Sequence, residues 1–307
     1  MSSSRSLLFM LAAALAFGGA ALGADYLLAR GIAHSEALEA GRLARLAEGR
    51  DPEEIPIFGA SKAEANYMPE ALGPRFYNYG LASASQDVAN YLIALELQKP
   101  SRQPIIIDLS QGAFENVGDP RNYLLLARRP GTRKLLERAG VWRWYYAVPG
   151  LRFYGSWDWY VKGLLTDRIA LTKRVVRGYV HHLDEAPWRA DQFASDVEKR
   201  LQNPLHWSID LRQAKDLIGL AHRAPERQFV IVLSPLHRSF LAHATGEAEF
   251  RRQLTAMAKA VPNLRTIDMT RVEYPDPYFL NTGHLNQTGA RAFSVALRRE
   301  LLRLEVI

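Results

Sequence analysis

Two side chains far apart in this sequence have the types that acyl-transfer chemistry needs, a hydroxyl and an imidazole. Ser61 follows a short apolar run, Ile55-Pro56-Ile57-Phe58, through Gly59 and Ala60, and the stretch 62–68 favours helix until Pro69. A strand that turns tightly into a helix places its turn residue where N–H groups and the helix dipole favour negative charge. A serine nucleophile and the oxyanion it generates need such a place. A plain N-cap serine fits the same pattern. The imidazole is His284, within Asn281-Thr282-Gly283-His284-Leu285-Asn286 and just before a helix over 286–302. Histidine titrates near neutrality, so it can take the proton of an attacking hydroxyl. A surface or capping histidine reads the same way in isolation.

The two residues are useful to each other only if the fold brings them together. From residue 55 onward strands and helices alternate. Strands are expected over 55–60, 76–80, 104–109, 229–235 and 264–269, with helices over 84–98, 209–222, 247–261 and 286–302. The runs Ile105-Ile106-Ile107 and Val230-Ile231-Val232-Leu233 are continuously apolar, the pattern of a parallel sheet buried on both faces. Five βα units in series predict an α/β fold with one parallel sheet of about five strands, covered by helices. Function in such folds gathers at the carboxyl ends of the strands. Ser61 follows the first strand and His284 follows the last, so that edge can hold both.

An insertion over 114–207 separates the third strand from the fourth. It contains all six tryptophans, Trp142, Trp144, Trp157, Trp159, Trp188 and Trp207, with Tyr145, Tyr146, Tyr154 and Tyr160 and interleaved arginines. Two readings fit: a helical cap with its own aromatic core, and a wall of the site whose rings stack on sugars or an acyl chain. Ahead of the sheet, residues 7–23 are apolar and rich in Ala, Leu and Gly, behind a single basic side chain, Arg5. The segment 1–32 is expected to be an uncleaved membrane anchor or a cleaved signal. In both cases the rest lies outside the cytoplasmic membrane. A polar-faced helical linker follows over 33–54, and 55–307 forms the main domain.

Composition narrows the function classes. With 307 residues, 48% hydrophobic and 23% charged, the chain is globular in type. It has no cysteine, which removes disulfides, thiolate metal sites and cysteine nucleophiles together. The net charge is +7 and the pI about 9.6. No zinc-finger spacing, RNP-like segment or basic helix with heptads accompanies that charge, so no nucleic-acid partner is expected. The basic residues suit a solvated surface, an anionic lipid face or an anionic polymer. No Gly-rich phosphate loop of standard spacing is present. His181-His182-Leu183-Asp184 lacks an evident third ligand, and neither metal nor cofactor is expected.

Taken together, Gly59-Ala60-Ser61 after the first strand, Gly80 at the end of the second, and the terminal Asn281-Thr282-Gly283-His284-Leu285-Asn286 resemble blocks I, II and V of the SGNH/GDSL hydrolase superfamily. The N-terminal segment, with Leu109-Ser110-Gln111, resembles its membrane-anchored branch. That branch includes the DltD-like proteins of teichoic-acid D-alanylation and the alginate O-acetyltransferases. The resemblance covers about 55–302, with the insertion unmatched. It implies a three-layer α/β/α domain and an extracytoplasmic serine esterase or O-acyltransferase at the bacterial inner membrane. It also implies an acyl donor and a glycan acceptor, with a membrane acyltransferase or polysaccharide-assembly protein as partner. Ser61 would be the nucleophile and His284 the general base. The N–H groups of Ser61 and Gly80 would line an oxyanion hole, with Gln111 in place of the family's asparagine. The family carries Asp three residues before the histidine, and this chain carries Asn281. Three arrangements fit: Asn281 orients a working dyad, Asp276 supplies the carboxylate, or the site is weakened or inactive and the chain serves as a scaffold or carbohydrate-binding subunit of an envelope polysaccharide assembly. Replacing Asp by Asn in a Ser-His-Asp protease costs about 10⁴ in turnover, so the distinction matters. Lys62 reads as a helix-start surface residue, and His237, after the fourth strand, as a loop histidine on the active edge.

Overall fold

The computed structural model describes residues 2–109, 111, 116–169, 173–182 and 190–307. In chain order, α1 (Ser2–Ala33) and α2 (Glu39–Ala47) precede β1 (Ile55–Phe58), α3 (Ser61–Asn66), α4 (Pro69–Leu72), β2 (Phe76–Asn78), α5 (Gln86–Glu96) and β3 (Ile105–Asp108). Then come α6 (Pro130–Arg138), α7 (Trp157–Ile169), the short strands β4 (Lys173–Val176) and β5 (Tyr179–His182), and α8 (Ala190–Gln202). The remainder is α9 (Leu211–Arg223), β6 (Phe229–Leu233), α10 (Arg238–Leu241), α11 (Glu247–Ala260), β7 (Leu264–Asp268), β8 (Phe279–Asn281), β9 (His284–Leu285) and α12 (Gln287–Arg303). Two compact units result. Residues 1–45 and 119–169 form the first, and residues 46–118 and 170–307 form the second. The inserted stretch 114–207 is therefore divided between them, and Ser110 and Trp188 lie outside the described residues.

The second unit holds the five-stranded parallel sheet, in the order β2-β1-β3-β6-β7. Every residue of β1, β3 and β6 is buried, which is why their sequences read as unbroken apolar runs. Each such Ile or Val stabilises the fold by about 1.5–3 kcal/mol relative to leaving it in water. Helices α3, α4 and α12 join one face in a core with Ile55, Ile57, Tyr67, Ile106, Val230, Phe293 and Leu297. The β4–β5 hairpin, which the sequence did not predict, meets the edge strand. Arg177 C=O accepts the Asn78 N–H (2.9 Å), and Arg177 Nε donates to Phe76 C=O (2.6 Å). An exposed edge is thereby covered.

The expected helix over 62–68 stops two residues early, and a second short helix follows it. α3 ends at Asn66, and Pro69 opens α4, because proline is tolerated at a first helical position and not inside a helix.

The first unit is a helical assembly around Leu28, Ile32, Leu38, Leu124, Phe153 and Tyr160, with Trp157 and Trp159 packed against that cluster. Arg152 forms a two-pronged pair with the buried Asp25 of α1 (2.9 and 2.7 Å). Arg121 lies over the Trp159 ring at 4.5 Å. Residues 6–33 of α1 are long and apolar enough to cross a membrane, a test that a signal sequence also passes.

Candidate active site

The turn after β1 is built by glycine. Gly59 has φ +153°, and a side-chain carbon on it would fall 2.8 Å from both Ala63 Cβ and Asp108 C=O. Only glycine turns here and lets β1 and β3 stay close. Ser61 is then the first residue of α3, ahead of the first intrahelical bond, Glu64 N–H to Ala60 C=O. Gly80 solves a similar problem from β2: a Cβ there would meet the Glu64 nitrogen at 2.5 Å. Asn78 locks the same helix. Its Nδ2 donates to the carbonyls of Ala63 (2.8 Å) and Tyr67 (2.9 Å), and its Oδ1 accepts the Gly80 N–H (2.9 Å). The Gly80 N–H, expected to line an oxyanion hole, is thus held by Asn78. The amide side chain lies two residues back and captures it.

At the other end of the chain, β8 and β9 form a tight antiparallel hairpin in which Asn281 pairs with His284. Asn281 Oδ1 accepts the backbone N–H groups of Gly283 and His284 (both 3.0 Å) and contacts His284 Nδ1 at 2.9 Å. The two backbone donors fix which end of the amide faces the ring, since an NH₂ there would oppose them. Nδ1 therefore carries the proton and donates it, so Nε2 presents a lone pair as an acceptor. Nε2 lies 2.9 Å from Ser61 Oγ. Ser61, His284 and Asn281 thus form one continuous relay in the tautomer that proton removal from a hydroxyl requires.

The hairpin is anchored on several sides. Asp196 of α8 accepts the Thr282 N–H (2.9 Å) and hydroxyl (2.6 Å), and Asn66 of α3 accepts the Leu285 N–H (2.9 Å). Thr282 C=O accepts the His237 N–H at 3.1 Å. Asp196, Asn66 and Asn78 were not expected from the sequence. A polar residue at the end of a buried strand, as Asn78 is, was the available signal.

Behind Ser61 lies a buried polar cluster. Lys62, expected on the surface, is buried. Its Nζ donates to Gln111 Oε1 and lies 3.7 Å from Asp108 Oδ1. Burial lowers its pKa against the opposing pull of Asp108. Tyr67 donates to the other Asp108 oxygen (2.8 Å), and burial followed by the Asp108 charge pushes its phenol well up. Asp108, the last residue of β3, organises this floor through its side chain. Gln111 is 3% exposed. With Oε1 turned to Lys62, its Nε2 donor is buried without a hydrogen-bond partner among the described residues.

Asp276 does not serve His284. It approaches His237, with Oδ1 3.1 Å from Nε2, and Arg238 adds to the pair at 3.3 Å. It precedes β8 in a short 3₁₀ turn, Asp276–Tyr278, and Asn281 already occupies Nδ1 of His284. His237 caps α10, its Nδ1 accepting the Ser239 N–H at 3.2 Å. The pair borders a cavity of ≈ 700 Å³ beyond β6 and β7, with Leu236, Tyr274 and Phe279 also in its walls. Burial raises the Tyr274 pKa to about 12. His181 pairs with Glu70 (2.8 Å). Among the described residues no cluster of His, Asp and Glu has the arrangement of a metal site. The aromatic residues from Trp142 to Tyr160 pack in the first unit. Trp207 packs in the second, buried edge-to-face against Phe250 at 5.0 Å.

No protein-family model matches the chain, and no curated protein matches it in sequence. A solved structure from Streptococcus pneumonia, described provisionally as a platelet activating factor, is similar with a TM-score of 0.44 and 11% identity. The match covers 91% of this chain and 98% of that one. A likeness that distant does not bear on function.

Proposed function

We propose that this chain is an extracytoplasmic, membrane-attached serine esterase or O-acyltransferase of SGNH type, acting on acylated polysaccharide or cell-envelope glycans. The observation that carries the chemistry is the 2.9 Å approach of Ser61 Oγ to His284 Nε2, with Nδ1 oriented by Asn281. The membrane attachment draws on α1 and on the resemblance of the sequence blocks to the anchored branch.

In the reaction, Ser61 Oγ attacks the acyl carbonyl as its proton passes to His284 Nε2. The carbonyl oxygen becomes an oxyanion, and the Ser61 N–H and Gln111 Nε2 are the donors that meet it. Collapse breaks the bond to the leaving oxygen, which takes the proton from His284, and leaves acyl-Ser61. Water or a sugar hydroxyl then gives its proton to His284 and attacks the ester. Ser61 Oγ leaves with the proton from His284, and the products are a carboxylic acid or a new ester with Ser61 regenerated.

Lys62 takes no proton in this scheme. Its ammonium fixes Gln111 by Oε1 and so aims Nε2. Asn281 supplies orientation without charge. The cost of Asp→Asn in a triad comes from the wrong tautomer, which the two backbone donors to Asn281 prevent. What is missing is only the charge that stabilises an imidazolium.

The neutral Asn281 is also the one observation that favours an inactive scaffold or carbohydrate-binding subunit. A fluorophosphonate probe separates the readings. Covalent labelling of the full chain that disappears in Ser61→Ala supports the enzyme, as does p-nitrophenyl acetate turnover falling by about 10⁴ or more in that variant. An unlabelled, inactive wild-type chain overturns it in favour of the scaffold.

A further inference from the structure

The tryptophan- and tyrosine-rich segment does not belong to the unit that holds Ser61, and its surface has its own chemistry. Residues 119–169 expose five large apolar side chains, Trp144, Leu151, Tyr154, Val161 and Leu165. The described residues of the whole second unit expose six. The second unit is about four times as long as that segment, so the segment concentrates apolar exposure beyond what scattered surface residues produce. Trp144 and Tyr154, 69% and 68% exposed, are the extremes. Both stand against Tyr145 edge-to-face, at 5.8 and 5.7 Å, so they belong to one ring network. Arg128 and Arg143, both exposed, flank it.

The position of this face along α1 is fixed by contacts inside the unit. Large side chains of α1 are exposed from Leu7 to Leu27. That span is about 30 Å of helix, the thickness of a bilayer's hydrocarbon core. Beyond it the helix is packed, with Leu28 and Ile32 as core residues, and just inside its end the buried Asp25 is paired with Arg152. The loop between the 3₁₀ turn Trp144–Ala147 and Leu151 lies against α1 at Ala21, since a side-chain carbon on Gly150 would sit 3.6 Å from Ala21 Cβ. Ala21 is about 9 Å of helix short of Leu27. Amphipathic elements that lie in a membrane surface bury their apolar side by roughly this depth, about 5–10 Å. Tryptophan and tyrosine are the side chains enriched there, and arginines meet anionic headgroups.

We infer that the first unit is a membrane-interface platform. Trp144, Leu151 and Tyr154 sit in the headgroup layer of an anionic bilayer beside the emerging α1, and Arg128 and Arg143 face lipid phosphates. The inference rests on α1 being held in a membrane, as proposed above. It adds that the inserted segment grips the same membrane, where the sequence had suggested a sugar-stacking wall. Helix α7 contributes Val161 and Leu165, one helical turn apart, to the exposed apolar surface of the same unit.

The absence of cysteine makes the test direct. Trp144→Cys, Tyr154→Cys, Leu15→Cys and Leu302→Cys are each made in the full chain, spin-labelled, and reconstituted into phosphatidylcholine vesicles containing phosphatidylglycerol. Circular dichroism confirms that each variant is folded. Collision with oxygen, which dissolves in lipid, is compared with collision with a water-soluble nickel chelate. The expected oxygen-to-chelate ratio at 144 and 154 is several-fold above that at 302, and the ratio at 15 is higher still. A lipid-like ratio at 15 with water-like ratios at 144 and 154 overturns the platform while leaving the anchor intact. A water-like ratio at 15 overturns the anchor and the platform with it. A ratio at 302 equal to that at 144 overturns the assignment of the contact to the first unit. Fluorophosphonate labelling of Ser61 reports on the proposed chemistry separately from all three.

Discussion

Two histidines of the second unit make the instructive comparison. His237 has what a catalytic imidazole is supposed to have, a carboxylate on one ring nitrogen: Asp276 at 3.1 Å. On His284 the Nδ1 nitrogen meets a neutral amide, Asn281 at 2.9 Å. Yet His237 spends its other nitrogen on its own helix, accepting the Ser239 N–H as an N-cap, with the Ser239 hydroxyl 2.7 Å away. His284 turns its other nitrogen to a hydroxyl 223 residues distant in the chain. Base chemistry follows the direction in which the accepting lone pair points, and charge on the far side only adjusts its strength. In this chain the carboxylate went to the structural histidine, and three hydrogen bonds to Asn281 Oδ1 orient the other one.

Changes around the two rings sharpen or break that contrast. The largest effect after loss of Ser61 itself is expected from Gln111→Ala. Removing an oxyanion donor costs about 10²–10³ in kcat, read from p-nitrophenyl acetate kinetics with KM little changed. An unchanged kcat would remove Gln111 from the oxyanion site. Next is Asn281→Asp, which adds charge behind an already oriented ring. A charged hydrogen bond exceeds a neutral one by about 1 kcal/mol, so kcat should rise by roughly an order of magnitude. A dead Asn281→Asp enzyme would show that Asn281 does more than orient the ring.

Asp276→Asn strips the carboxylate from His237. Turnover should stay within about twofold while stability drops by about 1 kcal/mol, seen as a lower Tm. A large loss of kcat would transfer the catalytic role to the wrong histidine and break the comparison. The smallest change in rate is expected from Tyr67→Phe, which touches only the floor beneath Ser61. Here the sign can be worked out. The Tyr67 phenol titrates higher in the fold than its unfolded value of 10.0, because of burial and then Asp108. The folded chain therefore holds a proton that the unfolded chain releases, and stability falls as pH rises above 10. Tyr67→Phe should lose about 1–3 kcal/mol at neutral pH, by removing a hydrogen bond to a buried carboxylate, and flatten that alkaline decline. Denaturant melts across pH measure both.

The sheet was legible because its signal is local. Ile105-Ile106-Ile107 and Val230-Ile231-Val232 can only be strands buried on both faces, and alternation with helices makes those strands parallel. Ser61 and His284 stood out for the same reason, each beside a turn that its neighbours specify. The hairpin β4–β5 carried no such mark. It is stabilised by capping an edge through Arg177, a partner that sequence spacing does not reveal. Lys62 was misplaced because a lysine at a helix start is ordinarily solvated, and only the convergence of Asp108 and Gln111 makes burial tolerable.

By itself, then, the sequence determined the strands of the parallel sheet and the helices between them, the strand edge on which the candidate site lies, and the hydroxyl and imidazole that meet there. These follow from apolar periodicity and turn residues, which act over a few positions. The tertiary structure alone decided which histidine received the carboxylate, which glycine N–H was already engaged, and that the aromatic segment folds with α1 instead of with the sheet. Those outcomes depend on hydrogen-bond direction and on competition between distant partners, and neither is written in the spacing of residues along a chain.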